Sequence, residues 1–202
     1  GLVKSMARPG ANITGVAALS SQMTDRRLEI LKEIAPSVRR VMIYYDSNNP
    51  YSRENFLSAK KAAGKLKLDV EEHAVKSSDE MKKSISSLQQ RDGDAFFHVP
   101  DDLIESQVDF IIEAAREKGW PSMFSEESWV TKGGLAGYSP NYYQMGRQAA
   151  RLADKILKGA KPKDLPIERA GKFDLVLNLR TANAVVISIP SETLKRADRV
   201  IR

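Results

Sequence analysis

The chain has 202 residues, 42% of them hydrophobic and 29% charged, and its 32 Lys and Arg exceed its 26 Asp and Glu for a net charge of +6. That length buries a sizeable core as one large domain or two small ones, with a composition ordinary for a globular protein. The lack of cysteine excludes disulfides, thiolate metal sites and a cysteine nucleophile, and no apolar run reaches the ~20 residues of a membrane helix. Lys4 and Arg8 interrupt the one early apolar stretch, so no signal-peptide pattern opens the chain. The basic residues alternate with acids along amphipathic segments. The densest spot, Lys155 to Lys163, reads as a helix end and its loop, where the helix dipole favours cations. That pattern argues for no nucleic-acid partner.

Ile13 to Leu19 reads as a short strand, and Asp25 to Ile34 as a helix stopped by Pro36. Val41 to Tyr45 is apolar on both faces, as in a covered parallel sheet. Ser52 to Leu66 places Phe56, Ala59, Ala63 and Leu66 on one helical face. A strand over Val70 to Val75, a helix over Asp79 to Gln90 and a strand over Ala95 to Val99 follow. One long helix is expected from Leu103 to Lys118, ended by Gly119. Short strands at Ser122 to Ser125 and Leu135 to Tyr138 precede a helix over Asn141 to Leu157 and a Lys/Pro loop from Ala160 to Gly171, the best linker candidate. A strand over Phe173 to Leu179, a short helix or turn over Thr181 to Val185 and a terminal helix over Ser191 to Ile201 complete the chain. The alternation predicts an α/β fold with a parallel sheet and helices on both faces.

Ligands of such sheets bind outside the carboxyl ends of the strands. Three polar loops fall there: Asp46-Ser47-Asn48-Asn49-Pro50-Tyr51-Ser52, Pro100-Asp101-Asp102 and Ser125-Glu126-Glu127-Ser128. They offer hydroxyls, amides and carboxylates to one crevice, and a carboxylate in a partly dry cleft suits an ammonium. Each also has a plainer use. Ser52 and Asp101 or Asp102 read as helix N-caps, Asn49-Pro50 as a turn, and Glu126 and Glu127 as solvated acids. His73 and His98 lie on predicted strands without a partner at metal spacing, so both read as core or surface histidines and no metal or cofactor is expected. No nucleophile elbow or glycine-rich phosphate loop occurs. A metal-dependent α/β enzyme or phosphoacceptor using Asp46 stays as an alternative, although no second carboxylate follows two residues on. Tyr44, Tyr45, Phe96, Phe97 and Phe124 read as core, while Tyr51, Trp129, Tyr138, Tyr142 and Tyr143 fall in loops or at element ends.

"GLVKSMARPGANITGV" resembles the segment G-L-V-x-S-L-A-R-P-G-x-N-I-T-G of a group of bacterial ABC-transporter substrate-binding proteins of the tryptophan/tyrosine type. "RRLEILKEIAPSVRRVMIYYDSNNP", "NYYQMGRQAARLADKILKGAKPKDLPIE" and "KFDLVLNLRTANAVVISIP" are similar to its later segments, in the same order. The resemblance implies a periplasmic-binding-protein fold of type I, in which two lobes close on a ligand by a hinge. It implies residues 1–15 as the end of the first lobe, 16–130 as the second α/β lobe, 131–172 as a returning first-lobe segment and 173–202 as a crossover strand with the C-terminal helix. Most of the first lobe would lie outside this chain.

Carried over by position, the ligand-binding residues would be Ser47, Asn48, Tyr51, Ser52, Pro100, Asp101 and Glu126, with no catalytic residue. Ala18 departs from the hydroxyl that relatives often carry there. The expected function is a non-enzymatic solute-binding subunit of an importer, periplasmic or anchored at the cell envelope, with a membrane permease as partner. Its ligand would be a small polar or zwitterionic molecule such as an aromatic amino acid. A sensory ligand-binding domain of the same fold is the first alternative. The helix over Asn141 to Leu157 would normally pack on the missing lobe, so the fragment is expected to dimerise or swap through it.

Overall fold

The structure is a computed structural model and describes residues 2–89 and 94–202; Gly1, and Gln90 at the end of one expected helix, lie outside the described residues. Two compact units emerge. The larger comprises Ser20–Ser139 and Asp174–Arg202, the smaller Gly1–Leu19 and Pro140–Phe173.

The larger unit is built on a seven-stranded sheet of β2 (Arg40–Asp46), β3 (Asp69–Val75), β4 (Ala95–Phe97), β5 (Ser122–Phe124), β6 (Ala136–Pro140), β8 (Phe173–Asn178) and β9 (Arg199–Ile201), in the order β3-β2-β4-β5-β6-β8-β9. Pairing is parallel from β3 through β6 and again between β8 and β9. Alternation along each strand divides its side chains between two cores. Val41, Ile43, Tyr45 and Phe97 join Leu28, Leu31, Phe56 and Ala59 from α1 (Thr24–Ile34) and α2 (Pro50–Lys65). Met42, Tyr44, Phe96 and Phe124 join Met81, Ile85, Ile111 and Ile112 from α3 (Ser78–Ser87) and α5 (Val108–Glu117) on the other face. The five aromatics expected in the core are all there.

Three elements of the larger unit depart from the sequence reading. The expected helix over Leu103 to Lys118 is two helices, α4 (Asp102–Glu105) and α5, because Ser106 Oγ donates back to the Leu103 carbonyl at 2.6 Å and Gln107 N bonds the Ile104 carbonyl three residues back. The expected terminal helix stops at α9 (Ser191–Arg196), and the chain then adds edge strand β9 beside β8. Asp198 fixes that turn by donating its N–H to the Leu175 carbonyl while its Oδ2 accepts Leu175 N. The loop after β5 is not all loop either: α6 (Glu127–Thr131) buries Trp129 and Val130. Gly119 ends α5 as expected, with φ +67° and Trp120 N returning to the Ala115 carbonyl. After β8 comes α8 (Leu179–Ala184).

The smaller unit holds a two-stranded parallel sheet, β1 (Val16–Ala17) with β7 (Glu168–Arg169), and the helix α7 (Tyr142–Leu157). Strand β7 lies inside the segment read as a linker. Gln148 of α7 secures it, donating to the Arg169 carbonyl and accepting Gly171 N, both at 3.0 Å. Asn141 caps α7 by accepting Gln144 N at 2.8 Å.

Candidate functional site

The parallel pairing of β2, β4 and β5 brings three loops to one edge of the larger unit. Side chains then bind the loops to one another. Asp101 is buried after β4; its Oδ2 accepts Asp46 N at 2.7 Å and its Oδ1 accepts Ile104 N at 3.0 Å, capping α4. Of the two aspartates read as caps, Asp101 is therefore the one that serves. Asn55 of α2 donates to the Pro100 carbonyl at 2.9 Å, holding the same loop from a second side. His98, fully buried, shares a 3.0 Å hydrogen bond through Nδ1 with Ser125 Oγ, which joins the loops after β4 and β5.

The loop after β2 is set by its own polar groups. Asp46 Oδ1 accepts Asn48 N at 2.8 Å in an Asx turn, and Ser47 places both its N–H and its hydroxyl on the Val75 carbonyl. The cap of α2 is Asn49, which accepts Tyr51 N with Pro50 at the first helical position, so Ser52 is not the cap. Pro50 is pre-organised for the helix and starts it two residues early, which turns Ser52 inward. Its hydroxyl is buried without a hydrogen-bond partner among the described residues, as is His98 Nε2. A buried hydroxyl left in that state costs free energy, and a polar atom brought to it recovers some of that cost. Asn48 and Tyr51 are exposed, and Pro100 and Glu126 are half-buried.

The electrostatics of this edge are acidic. Burial raises the Glu105 carboxyl above its ordinary value, and the charges of Glu126, Asp102 and Asp101 push in the same direction. Burial pushes His98 down to about 3, with Arg27 adding to the effect, so its imidazole is neutral. Arg27 is itself fully buried and donates to the Tyr138 and Ser20 carbonyls and to Ser20 Oγ. Trp129 stands edge-on to His98 with centroids 4.7 Å apart.

The structure thus gathers Ser47, Asn48, Tyr51, Ser52, Pro100, Asp101 and Glu126 along one sheet edge. Asp101 has both oxygens on backbone N–H groups, which makes it a brace of the edge. Sequence reasoning missed Asn55, Glu105 and the role of His98. Asn55 lies one turn after Ser52 on the same helical face, and His98 shares strand parity with Phe96; both spacings were available. Glu127, read as a solvated acid, pairs with Arg199 at 2.6 Å at the surface. His73 lies on β3, stacked on Tyr44 and 3.0 Å from Glu71. Among the described residues no three His, Asp or Glu side chains form a metal-binding group, so the Asp46 alternative gains no support from its surroundings.

Comparison with known proteins agrees with this architecture. The chain is 30% identical over 185 residues to the tyrosine-binding protein of Clostridioides difficile, covering 92% of this chain and 53% of that protein. It therefore spans about half the length of that relative. A conserved domain protein of Vibrio cholerae superposes with a TM-score of 0.85 at 28% identity, over 98% of this chain and 66% of its own. The ABC domain of Streptococcus pneumoniae solved with L-Trp gives 0.80 at 29% identity, over 99% and 68%. The fold is α/β of the periplasmic-binding-protein type I kind. The model for "ABC transporter substrate binding protein" matches residues 1–201, and the chain belongs to that family.

Proposed function

We propose that this chain is part of the non-catalytic solute-binding component of a bacterial ABC importer, and that the edge formed by β2, β4 and β5 is one wall of its interlobe ligand cleft. The ligand is a small zwitterion, an aromatic amino acid such as tyrosine or tryptophan. The observation that most supports this reading is the match over residues 1–201 to substrate-binding proteins, with relatives named for tyrosine or solved with L-Trp. The acidic edge adds to it. An ammonium relieves the mutual repulsion of Glu105 and Glu126.

In this reading Glu126 pairs with the ammonium while Asp101 holds the wall. Ser47, Asn48 and Ser52 supply hydrogen bonds, Pro100 lines the wall and Tyr51 covers the apolar part. Closure on the ligand is what a membrane permease would recognise at the cell envelope. The exposed apolar side chains Tyr142, Tyr143 and Ile156 of α7 support pairing with a second copy or with the remainder of a longer protein.

Calorimetry and thermal shift with L-Tyr and L-Trp test the reading, on this chain and on the longest version its gene encodes. A ligand at ~100 times its Kd adds about 2.7 kcal/mol, a shift of about 5–11 °C at this size. Ser52→Ala and Glu126→Gln should weaken binding by about tenfold each. Failure of both versions to bind either amino acid would overturn the aromatic ligand, and binding unaffected by both substitutions would overturn the site.

A further inference from the structure

Charge is divided unequally between the two units. Gly1–Leu19 and Pro140–Phe173 hold ten Lys or Arg against three Asp or Glu, a net of +7, which leaves −1 for the rest of a chain whose total is +6. The positive charge of the molecule therefore resides in its smaller unit.

Part of that charge is assembled by tertiary contacts. Thr14 Oγ1 donates to the Leu165 carbonyl at 3.0 Å, and Ile167 N donates to the Met6 carbonyl at 2.8 Å, which joins the first segment to the Lys/Pro loop. Within the first segment Lys4 N bonds the Pro9 carbonyl, Arg8 N bonds Ser5 Oγ, and Gly10 turns the chain at φ +71°. Lys4 and Arg8 come to lie beside Lys163 around a cavity of about 540 Å³. A second cavity of about 300 Å³ shares Gly10 and Lys163 with the first and adds Lys161. Asp164 is the one acid on either lining. Among the described residues none of these four cations forms an ion pair.

We propose that this groove is a docking surface for an anionic phospholipid membrane, a role independent of the ligand wall on the larger unit. Four exposed cations drawn from two segments give a diffuse positive field, which suits a sheet of headgroups. Each segment also carries a large exposed apolar side chain close by. Leu2, two residues before Lys4, is 81% exposed, and Leu157, four before Lys161, is 87% exposed. Cations within four residues of accessible leucines match the boundary between headgroups and acyl chains, where a protein lies on a bilayer without crossing it. No helix among the described residues is long and apolar enough to cross. An acidic protein partner would call for cations held in place by neighbouring side chains, and these four are not.

The test is sedimentation of the 202-residue chain with vesicles of phosphatidylglycerol and phosphatidylcholine, and with vesicles of phosphatidylcholine alone. Binding should require phosphatidylglycerol and fall at least about tenfold between ~0.05 and ~0.5 M salt. The double variant Lys161→Glu/Lys163→Glu should lose about tenfold or more. Lys61→Glu/Lys83→Glu, which reverses two exposed lysines of the larger unit, should bind as the parent does. If charge reversal disturbs folding in a thermal melt, Lys161→Gln/Lys163→Gln takes its place and should show a smaller loss of the same sign. No partition into either vesicle, equal partition into both, or equal losses in the two double variants would overturn the proposal. So would capture by polyglutamate that competes fully with vesicles, which would indicate an acidic protein.

Discussion

The larger unit closes its sheet between two cores, one on each face, whereas Leu152, Pro9 and Pro140 are the buried apolar side chains among the described residues of the smaller unit. Among the described residues, six of the nine large apolar side chains that stand exposed belong to that smaller unit. It is held instead by hydrogen bonds: an Asn cap, the Gln148 clamp on β7 and the bonds that join Met6 and Thr14 to Ile167 and Leu165. Apolar burial contributes about 25 cal/mol per Å² and grows with the number of closed layers. Hydrogen bonds exchanged with water contribute about 1 kcal/mol each. The larger unit should therefore hold the stability of the chain, and the smaller should open first.

Core truncation gives the largest contrast. Phe97→Ala in the larger unit should cost about 3–5 kcal/mol, while Leu152→Ala in the smaller should stay near the ~2 kcal/mol lower end for such deletions. Urea unfolding read by hydrogen exchange separates the two, and equal costs would break the comparison. Next comes acid. The folded-state value of His98 lies near 3, below an unfolded value of about 6.5, so the unfolded chain takes up the proton first and stability falls as pH drops. Between about pH 6.5 and 3 the loss approaches about 1.4 kcal/mol per pH unit, and His98→Asn should flatten that slope in pH-dependent melts.

Asp101→Ala should cost about 2–4 kcal/mol, since it removes a cap and leaves Asp46 N without its acceptor; Asp101→Asn should recover part of it in chemical denaturation. The helix caps give the smallest effects and sharpen the contrast from the other direction. Asn49→Ala in the larger unit and Asn141→Ala in the smaller should each weaken the helix they start by about 1 kcal/mol, because capping is local. Amide exchange in the first turns of α2 and α7 reads both.

Much of the fold was legible because periodicity follows burial. Val41 to Tyr45 was readable as a strand covered on both faces, and Phe56, Ala59 and Ala63 marked the buried face of α2. The departures occur where a single polar side chain redirects the backbone. Ser106 divides a helix whose apolar spacing is continuous, and Asp198 turns the C-terminus into a strand whose Val200 and Ile201 pair with Leu177 and Asn178. The candidate site shows the same boundary. Placing its residues at strand ends needed only the element order. The bonds from Asp101 to Asp46 and from His98 to Ser125 join positions 55 and 27 residues apart, and no local pattern announces such pairs.

The sequence by itself determined most of the element types, the parallel α/β class and the family, and it named the strand ends that form the proposed ligand wall. Each of these follows from local spacing or from segments that can be read in order. Only the tertiary structure decided that Asp101 braces the edge, that Ser52 turns inward with a hydroxyl left without a partner among the described residues, and that Lys4 and Arg8 stand beside Lys163. The physical reason is that burial and charge depend on neighbours in space, and those neighbours come from strands and loops far apart along the chain.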